Sequence, residues 1–285
     1  MSTKTYWHWI KELFSEWSQD NAPRLGAALA YYAGFSIAPL IVIVLAGASL
    51  IFGKDAATGA LNSQLRELIG EQGAQAVAGL VASADKPAEG IIATICAMVV
   101  LLFGASGVFG ELQSSLNSIW HVDQTVAGFW QNVKNRFLSF AMVLGTGFLL
   151  LISLVVSAAL AAATKSLSAS VPLPIWLMQS IHQLISFVIT ALLFALIFKI
   201  LPDVEIRWKD VWIGAIATAG LFTIGKYLIG LYLGQSAVAS SYGAAGSFVV
   251  LLVWVYYSAQ ILFLGAEFTK IHARTYSASS PDSRK

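Results

Sequence analysis

The sequence predicts an all-α, polytopic membrane protein, and three observations carry that prediction. Of its 285 residues, 57% are hydrophobic and 11% are charged, with a mean hydropathy of +0.73, whereas about 25% of residues are charged in soluble domains. Several uncharged stretches are long enough, at ~1.5 Å per residue, to cross a hydrocarbon core ~30 Å thick. Lysine and arginine are concentrated in alternate connecting segments. We therefore expect a bundle of six transmembrane helices with an N-terminal interfacial helix and an external amphipathic loop.

The N-terminal segment, residues 1–22, is expected to be a cytoplasmic amphipathic helix at the membrane interface. Trp7, Ile10, Phe14 and Trp17 recur at helical spacing, with charged residues between them. This pattern is typical of a helix that lies on the membrane with its tryptophans at headgroup depth. The alternative is a helix that packs on another part of the protein.

The membrane domain follows, over residues 23–272. Its spans are predicted at about 25–52, 90–110, 137–164, 175–201, 211–233 and 243–269. Residues 54–89 are hydrophilic with apolar residues at helical spacing, which predicts an external loop of one or two amphipathic helices, broken near Gly70 and Gly73. Residues 273–285 are polar and predict a disordered cytoplasmic tail.

The distribution of basic residues predicts the orientation. With six spans, the N-terminus, the second and fourth loops and the C-terminus share one side of the membrane. That side carries most of the lysines and arginines, so the positive-inside rule places both termini in the cytoplasm.

Five polar residues at or within the spans form the candidate intramembrane site. In the last span, Tyr256, Gln260 and Glu267 follow one another at intervals of four and seven residues and therefore share a helix face. Glu111 and Lys226 are ionisable residues at or within other spans. Such groups are costly in hydrocarbon and usually face a protein interior or a wet cavity.

The depths of these residues suggest which of them can meet. Glu111 and Glu267 both lie near the cytoplasmic ends of inward-running spans, so we expect them within roughly 10 Å of one another, sharing a proton or a cation. The alternative is that each pairs locally with a backbone group or with Lys134, Arg136 or Lys270.

Lys226 lies roughly 22 Å from the cytoplasmic edge, too far for a direct pair with Glu267 in straight helices. It is expected to reach Asp85 or Glu89 on the outer side, or to snorkel to the outer headgroups.

Four glycines are predicted to permit close helix packing, since small residues let backbones approach in membranes. A cavity-lining or gating role is the alternative for them. They are Gly104, Gly107, Gly243 and Gly246.

Four blocks of sequence together resemble the YihY/virulence factor BrkB family. They are LLFGASGVFGELQSSLNSIW (101–120), LPDVEIRWKDVWIGA (201–215), GKYLIGLYLG (225–234) and SSYGAAGSFVVLLVWVYYSAQILFLGAEF (240–268). The resemblance implies a multi-pass protein of the bacterial inner membrane with six spans, and it implies no settled activity. The family formerly carried the label ribonuclease BN, an activity that the residues here disfavour.

The residues leave three functions open. The first is a transporter or export factor for a small or amphiphilic solute, which the polar residues on apolar helices favour. The second is a non-transporting scaffold or envelope-integrity protein. A membrane-embedded hydrolase is disfavoured because the four histidines are scattered without metal-ligand spacing, and neither a phosphate-binding glycine loop nor a GxSxG motif occurs. We expect no catalytic residue, metal or cofactor. The expected partners are membrane lipids and a small solute or ion, and the net charge of +2 argues against nucleic acid.

Overall fold

The computed structural model describes residues 3–84, 107–122, 175–235, 242 and 245–277. Within these ranges the elements are helical and no strand occurs, so the all-α prediction is confirmed for this part of the chain. The helices are α1 (Thr3–Gln19), α2 (Ala22–Phe52), α3 (Lys54–Ala84), α4 (residues 107–119), α5 (Ile175–Ile200), α6 (Trp208–Gln235) and α7 (Gly246–Ser277).

Three of the described helices are long and apolar enough to cross a membrane. Their candidate spans are Gln183–Ile200, Trp208–Leu233 and Phe248–Thr275, which match the last three predicted spans. Helix α2 covers the first predicted span. The span predicted at 137–164, and the part of the second before residue 107, lie outside the described residues.

Helix α3 occupies the segment predicted as an external loop of one or two amphipathic helices. It is one continuous helix, so the predicted break near Gly70 and Gly73 is wrong. A single glycine costs a helix only about 1 kcal/mol relative to alanine, and packing offsets that cost. Gly53 alone separates α2 from α3 and takes a positive φ of 80°. Helix α3 then packs on α2, α6 and α7, with Ala76 and Val77 buried in a cluster that includes Leu251 of α7.

Helix α7 is the centre of the described structure, because it contacts α1, α2, α3 and α6. Its side chains Leu251, Phe263, Ala266 and Ile271 are fully buried. The helix also continues to Ser277, so the first residues of the predicted tail are helical rather than disordered.

Helices α6 and α7 meet through a reciprocal glycine–threonine contact. A Cβ added to Gly214 would lie 1.8 Å from Oγ1 of Thr269, and one added to Gly265 would lie 2.0 Å from Oγ1 of Thr218. Each threonine hydroxyl donates at 2.7 Å to the carbonyl of the glycine four residues earlier in its own helix. The hydroxyls are therefore satisfied, and the two helices approach closely.

Helix α1 packs on the end of α7, which is the alternative reading of the N-terminal segment. The ring of Trp9 contacts Phe268 edge-on, with centroids 6.5 Å apart, and Trp17 packs on the apolar core. Ile10 and Phe14 of the same helix are 47% and 55% exposed. Helix α1 thus binds the protein while two of its large apolar side chains remain exposed.

Candidate functional site

A buried lysine at the end of α7 contacts carboxylates of α1 and α7 and a backbone carbonyl of α4. The ammonium of Lys270 lies 2.7 Å from Glu16 Oε2, 3.0 Å from Asp20 Oδ2 and 2.7 Å from Glu267 Oε2. It also donates at 2.9 Å to the carbonyl of Ile119. We call these five residues the Lys270 cluster, and it connects α1, α4 and α7.

Local helix geometry supplies each member of the cluster. Glu16 and Asp20 are four residues apart at the end of α1, and Glu267 and Lys270 are three apart on α7, so each pair shares a helix face. Ile119 is at the end of α4, where backbone carbonyls have no partner within the helix.

The end of α4 is closed by a turn that also contributes to the site. His121 takes a left-handed φ of 51°, and Val122 donates at 2.9 Å to the carbonyl of Asn117. This is the pattern of a helix C-cap whose last residue turns the chain away. The turn brings Nε2 of His121 to 3.0 Å from Oδ1 of Asp20.

The cluster holds more acid than base. Glu267 is fully buried, and its Oε1 has no hydrogen-bond partner among the described residues. Its Oε2 lies 2.7 Å from the ammonium of Lys270. Burial alone would raise the pKa values of Glu16 and Asp20. Lys270 and Arg274 offset this effect at Glu16, and Glu267 and Lys270 offset it at Asp20, so both pKa values lie below their ordinary range.

The three carboxylates have a spacing that a metal ion could bridge, since one oxygen from each lies within 4.8 Å of the others. The ammonium of Lys270 contacts all three of them. It therefore already supplies a cation to the position that a metal would need. The arrangement suits a lysine-centred ion network better than a metal centre.

Two further polar groups surround the Lys270 cluster at the same end of the bundle. Asp203 accepts hydrogen bonds from Gln113 at 3.2 Å and Asn117 at 2.8 Å, and its backbone donates to Asn117 Oδ1 at 2.8 Å. Buried Asp210 lies 2.8 Å from Nε of Arg207 and 3.0 Å from Nδ1 of His272. The end of α1, the turn after α4, the α5–α6 connection and the end of α7 therefore meet in one place.

A small polar cleft lies between α5 and α6, away from the Lys270 cluster. It contains the half-buried Lys226 together with hydroxyl, amide and aromatic side chains. The residues lining it are Gln183, Ser186, Phe187, Thr190, Phe222, Thr223 and Lys226.

The structure gives Glu267 a local partner, while the predicted approach of Glu111 to Glu267 stays a prediction. Glu267 is in the Lys270 cluster and pairs with Lys270, one of the alternatives that the sequence left open. Glu111 is half-buried on α4. It precedes Ile119 by eight residues, or about 12 Å along the helix. The structure therefore does not bring Glu111 into the Lys270 cluster. Lys226 lines the cleft, with its ammonium 5.8 Å from the ring centroid of Tyr227.

The other predicted residues on α7 face α2. Gln260 Nε2 would lie 2.0 Å from a Cβ added to Gly26, and the ring of Tyr256 lies 3.5 Å from the same point. The amide of Gln260 donates weakly, at 3.5 Å, to the carbonyl of Ala22. Gln260 therefore fills the space beside Gly26.

Two of the four predicted packing glycines are described. A Cβ on Gly107 would lie 3.1 Å from the ring of Tyr32, so α4 passes close to α2 there. Gly246 is buried at the start of α7. Gly104 and Gly243 lie outside the described residues.

Sequence reasoning missed most of the Lys270 cluster. The sequence does place Glu16 and Asp20 four residues apart, on one helix face, and the structure turns that face towards Lys270. Their partner on α7 is 250 residues away from Asp20, and periodicity says nothing about contacts at that separation.

Comparison with known proteins identifies the family. The family model described as Virulence factor BrkB matches residues 13–285. A UPF0761 membrane protein of Teredinibacter turnerae is 26% identical over 273 residues, 94% of this chain and 61% of that relative. One of Actinobacillus pleuropneumoniae is 24% identical over 278 residues, 91% of each chain.

A shorter match covers 74 residues of a UPF0761 membrane protein of Tolumonas auensis, with 35% identity over 26% of this chain and 24% of that relative. No solved structure matches the chain. Because the family model covers nearly the whole sequence, the resemblance seen in the four sequence blocks is confirmed: this chain is a membrane protein that belongs to the Virulence factor BrkB family.

Proposed function

We propose that this membrane protein is a transporter or export factor that moves a small or amphiphilic solute. The observation that carries the proposal is the polar cleft between α5 and α6, two helices that are apolar and long enough to span a bilayer. Polar and ionisable groups at such depth are costly unless they face a wet cavity or a substrate path.

The cleft, with a volume of about 20 Å³, has room for about one water-sized group, and its chemistry suits a single polar group of such a solute. The hydroxyls of Thr190 and Thr223 donate to carbonyls of their own helices at 2.9 Å and 2.8 Å, so their oxygens remain available as acceptors. Gln183 donates at 3.2 Å to the hydroxyl of Tyr227, and Lys226 adds a cation. The described lining residues include no carboxylate.

Reconstituted vesicles test the proposal. We expect vesicles containing the protein to move NBD-labelled phosphatidylglycerol, or to release carboxyfluorescein, several-fold faster than protein-free vesicles. Lys226→Met should slow this movement, whereas Lys209→Met, at an exposed position of the same helix, should not. Equal rates for both probes with and without the protein would exclude the proposed activity for these two solute classes.

A scaffold or envelope-integrity protein is the second candidate, and the packing of Gln260 favours it. The side chain of Gln260 lies directly against Gly26, so that part of the interior is filled. A scaffold needs its packing but not its cleft. Lys226→Met would then complement a deletion strain fully for growth in the presence of detergent, while Gly26→Leu would not.

We also propose six spans in the bacterial inner membrane, with both termini in the cytoplasm and α1 at the membrane surface. The meeting of four chain segments at one end of the bundle supports this topology, since all four fall on one side when the number of spans is six. Reporter fusions after Asp85 should be external, and those after Asp123, Lys209 and Ser277 cytoplasmic. A cytoplasmic signal at Asp85 would contradict the topology.

We further propose that the chain is not an enzyme and that its partners are membrane lipids and a small solute or ion, without nucleic acid. His121 and His272 lie 3.0 Å from Asp20 and Asp210 respectively, where they serve the ion network. RNA incubated with the purified protein should remain intact. Cleavage that disappears in His121→Ala would overturn this proposal.

A further inference from the structure

We propose that Glu267 and Asp20 share one exchangeable proton, and that binding of this proton holds α1 docked on α7. The Lys270 cluster thereby forms a proton-binding site that links the N-terminal helix to the bundle.

The first step in the argument is the excess of acid. Glu16, Asp20 and Glu267 bring oxygens within 4.8 Å of one another, and one ammonium, that of Lys270, contacts all three. Like charges this close in a partly dry site oppose full ionisation. One added proton removes part of that repulsion.

The second step identifies which carboxylate takes the proton. Glu16 also contacts Arg274 at 3.1 Å, and Asp20 also contacts His121 at 3.0 Å. Glu267 is the most buried of the three, and its Oε1 has no hydrogen-bond partner among the described residues. Protonated Glu267 can donate to the nearby carboxylate of Asp20, which leaves the ionised charge on the better-stabilised acid.

The third step considers the other charged groups around the site. Helix α1 presents Glu12, which pairs with Arg274, and the turn after α4 presents His121. Helix α6 presents Asp210, which is already held by Arg207 and His272. These pairs leave no further described cation close to Glu267.

Loss of the proton acts directly on docking. Two of the three carboxylates belong to α1 and the third belongs to α7, so ionisation of Glu267 creates repulsion across the α1–α7 contact. Since the protonated form of Glu267 stabilises docking, docking is complete near neutral pH and weakens as the pH rises through the titration of Glu267.

Spin-label distances in the full chain test this linkage. Labels at Ser18→Cys and Lys209→Cys, both exposed positions, are attached in a Cys96→Ser background. We expect the population at the docked distance to fall several-fold between about pH 6 and about pH 9, because burial and a neighbouring carboxylate can raise the pKa of a carboxyl group by several units. Glu267→Gln keeps a neutral donor and should hold α1 docked throughout, whereas Glu205→Gln, an exposed acid outside the cluster, should behave as the wild type.

Infrared spectroscopy of the wild type gives an independent measurement if Glu267→Gln folds poorly. The carbonyl band of a protonated carboxyl group should disappear with the same midpoint as the docked distance. A docked distance that does not change with pH, or a transition that persists in Glu267→Gln, would overturn the proposal. Two separate midpoints in the wild type would overturn it equally.

Discussion

At the scale of the residue, Lys270 decides how the ends of the chain are joined. The sequence identified Glu267 because an acid in an apolar helix is unusual, and it offered Lys270 as a local partner. It did not identify Glu16 or Asp20, because acidic residues are expected on the solvent-exposed face of any surface helix. Tertiary contact, rather than local pattern, gives those acids their role.

Removal of Lys270 should be strongly destabilising. Lys270→Met deletes the ammonium and leaves buried carboxylates without their cation, and breaking a buried ion pair costs about 3–5 kcal/mol. Thermal unfolding in detergent should show a large fall in Tm. Lys209→Met, at an exposed site, provides the matched control, and an equally small change in both variants would show that the pairs contribute little.

Acidic pH should also weaken the contact between α1 and α7. Because the pKa values of Glu16 and Asp20 are lowered in the folded protein, their contribution to stability is complete above the unfolded values and is lost as pH falls through the folded ones. We expect Tm to drop below about pH 4. The double variant Glu16→Gln/Asp20→Asn should have a lower Tm at neutral pH, and its Tm should change less as the pH falls below about 4.

At the scale of the element, the long apolar helices were predictable, whereas features that depend on tertiary contact were not. Helices α5 and α6 begin and end within three residues of the predicted spans, since prolines and charges bound them. Helix α3 was predicted as one or two amphipathic helices with a break at its glycines, and packing on three other helices keeps it continuous. Helix α7 extends past its apolar run because Arg274, in its last turns, pairs with acids of α1.

The α6–α7 contact offers a matched test of packing. Gly214→Ala would place its Cβ 1.8 Å from Thr269 Oγ1, whereas Gly220→Ala on the same helix meets no heavy atom within 4 Å. Both changes favour the helix by about 1 kcal/mol. We expect Gly220→Ala to preserve or raise Tm and Gly214→Ala to lower it, because the backbones must separate.

The opposite ranking would mean that α6 and α7 do not approach closely in the membrane. Thr269→Ala should partly rescue Gly214→Ala because it removes Oγ1, the atom that the added Cβ would meet at 1.8 Å, whereas Thr269→Ser keeps that atom and should not.

At the scale of the whole molecule, the described helices gather a set of charged and amide side chains at one end of the bundle. Four chain segments that are distant in sequence meet at that end through carboxylates, amides and basic side chains. Composition and basic-residue placement predicted that these segments lie on one side of the bundle. They could not predict the pairing, because which acid meets which base depends on helix rotation and on the turn at His121.

The separation of 250 residues between Asp20 and Lys270 also sets an order of events during biosynthesis. Translation produces Glu16 and Asp20 early, and Lys270 leaves the ribosome only after α7 is nearly complete. Until then α1 has no cation on α7 to bind, so its acids and its apolar face stay accessible to membrane proteases. Chains stopped after Phe263 should therefore be cleaved within α1 faster than chains stopped after Ser277 in a pulse-chase experiment, and equal half-lives would show that the N-terminal helix is protected without its C-terminal partner.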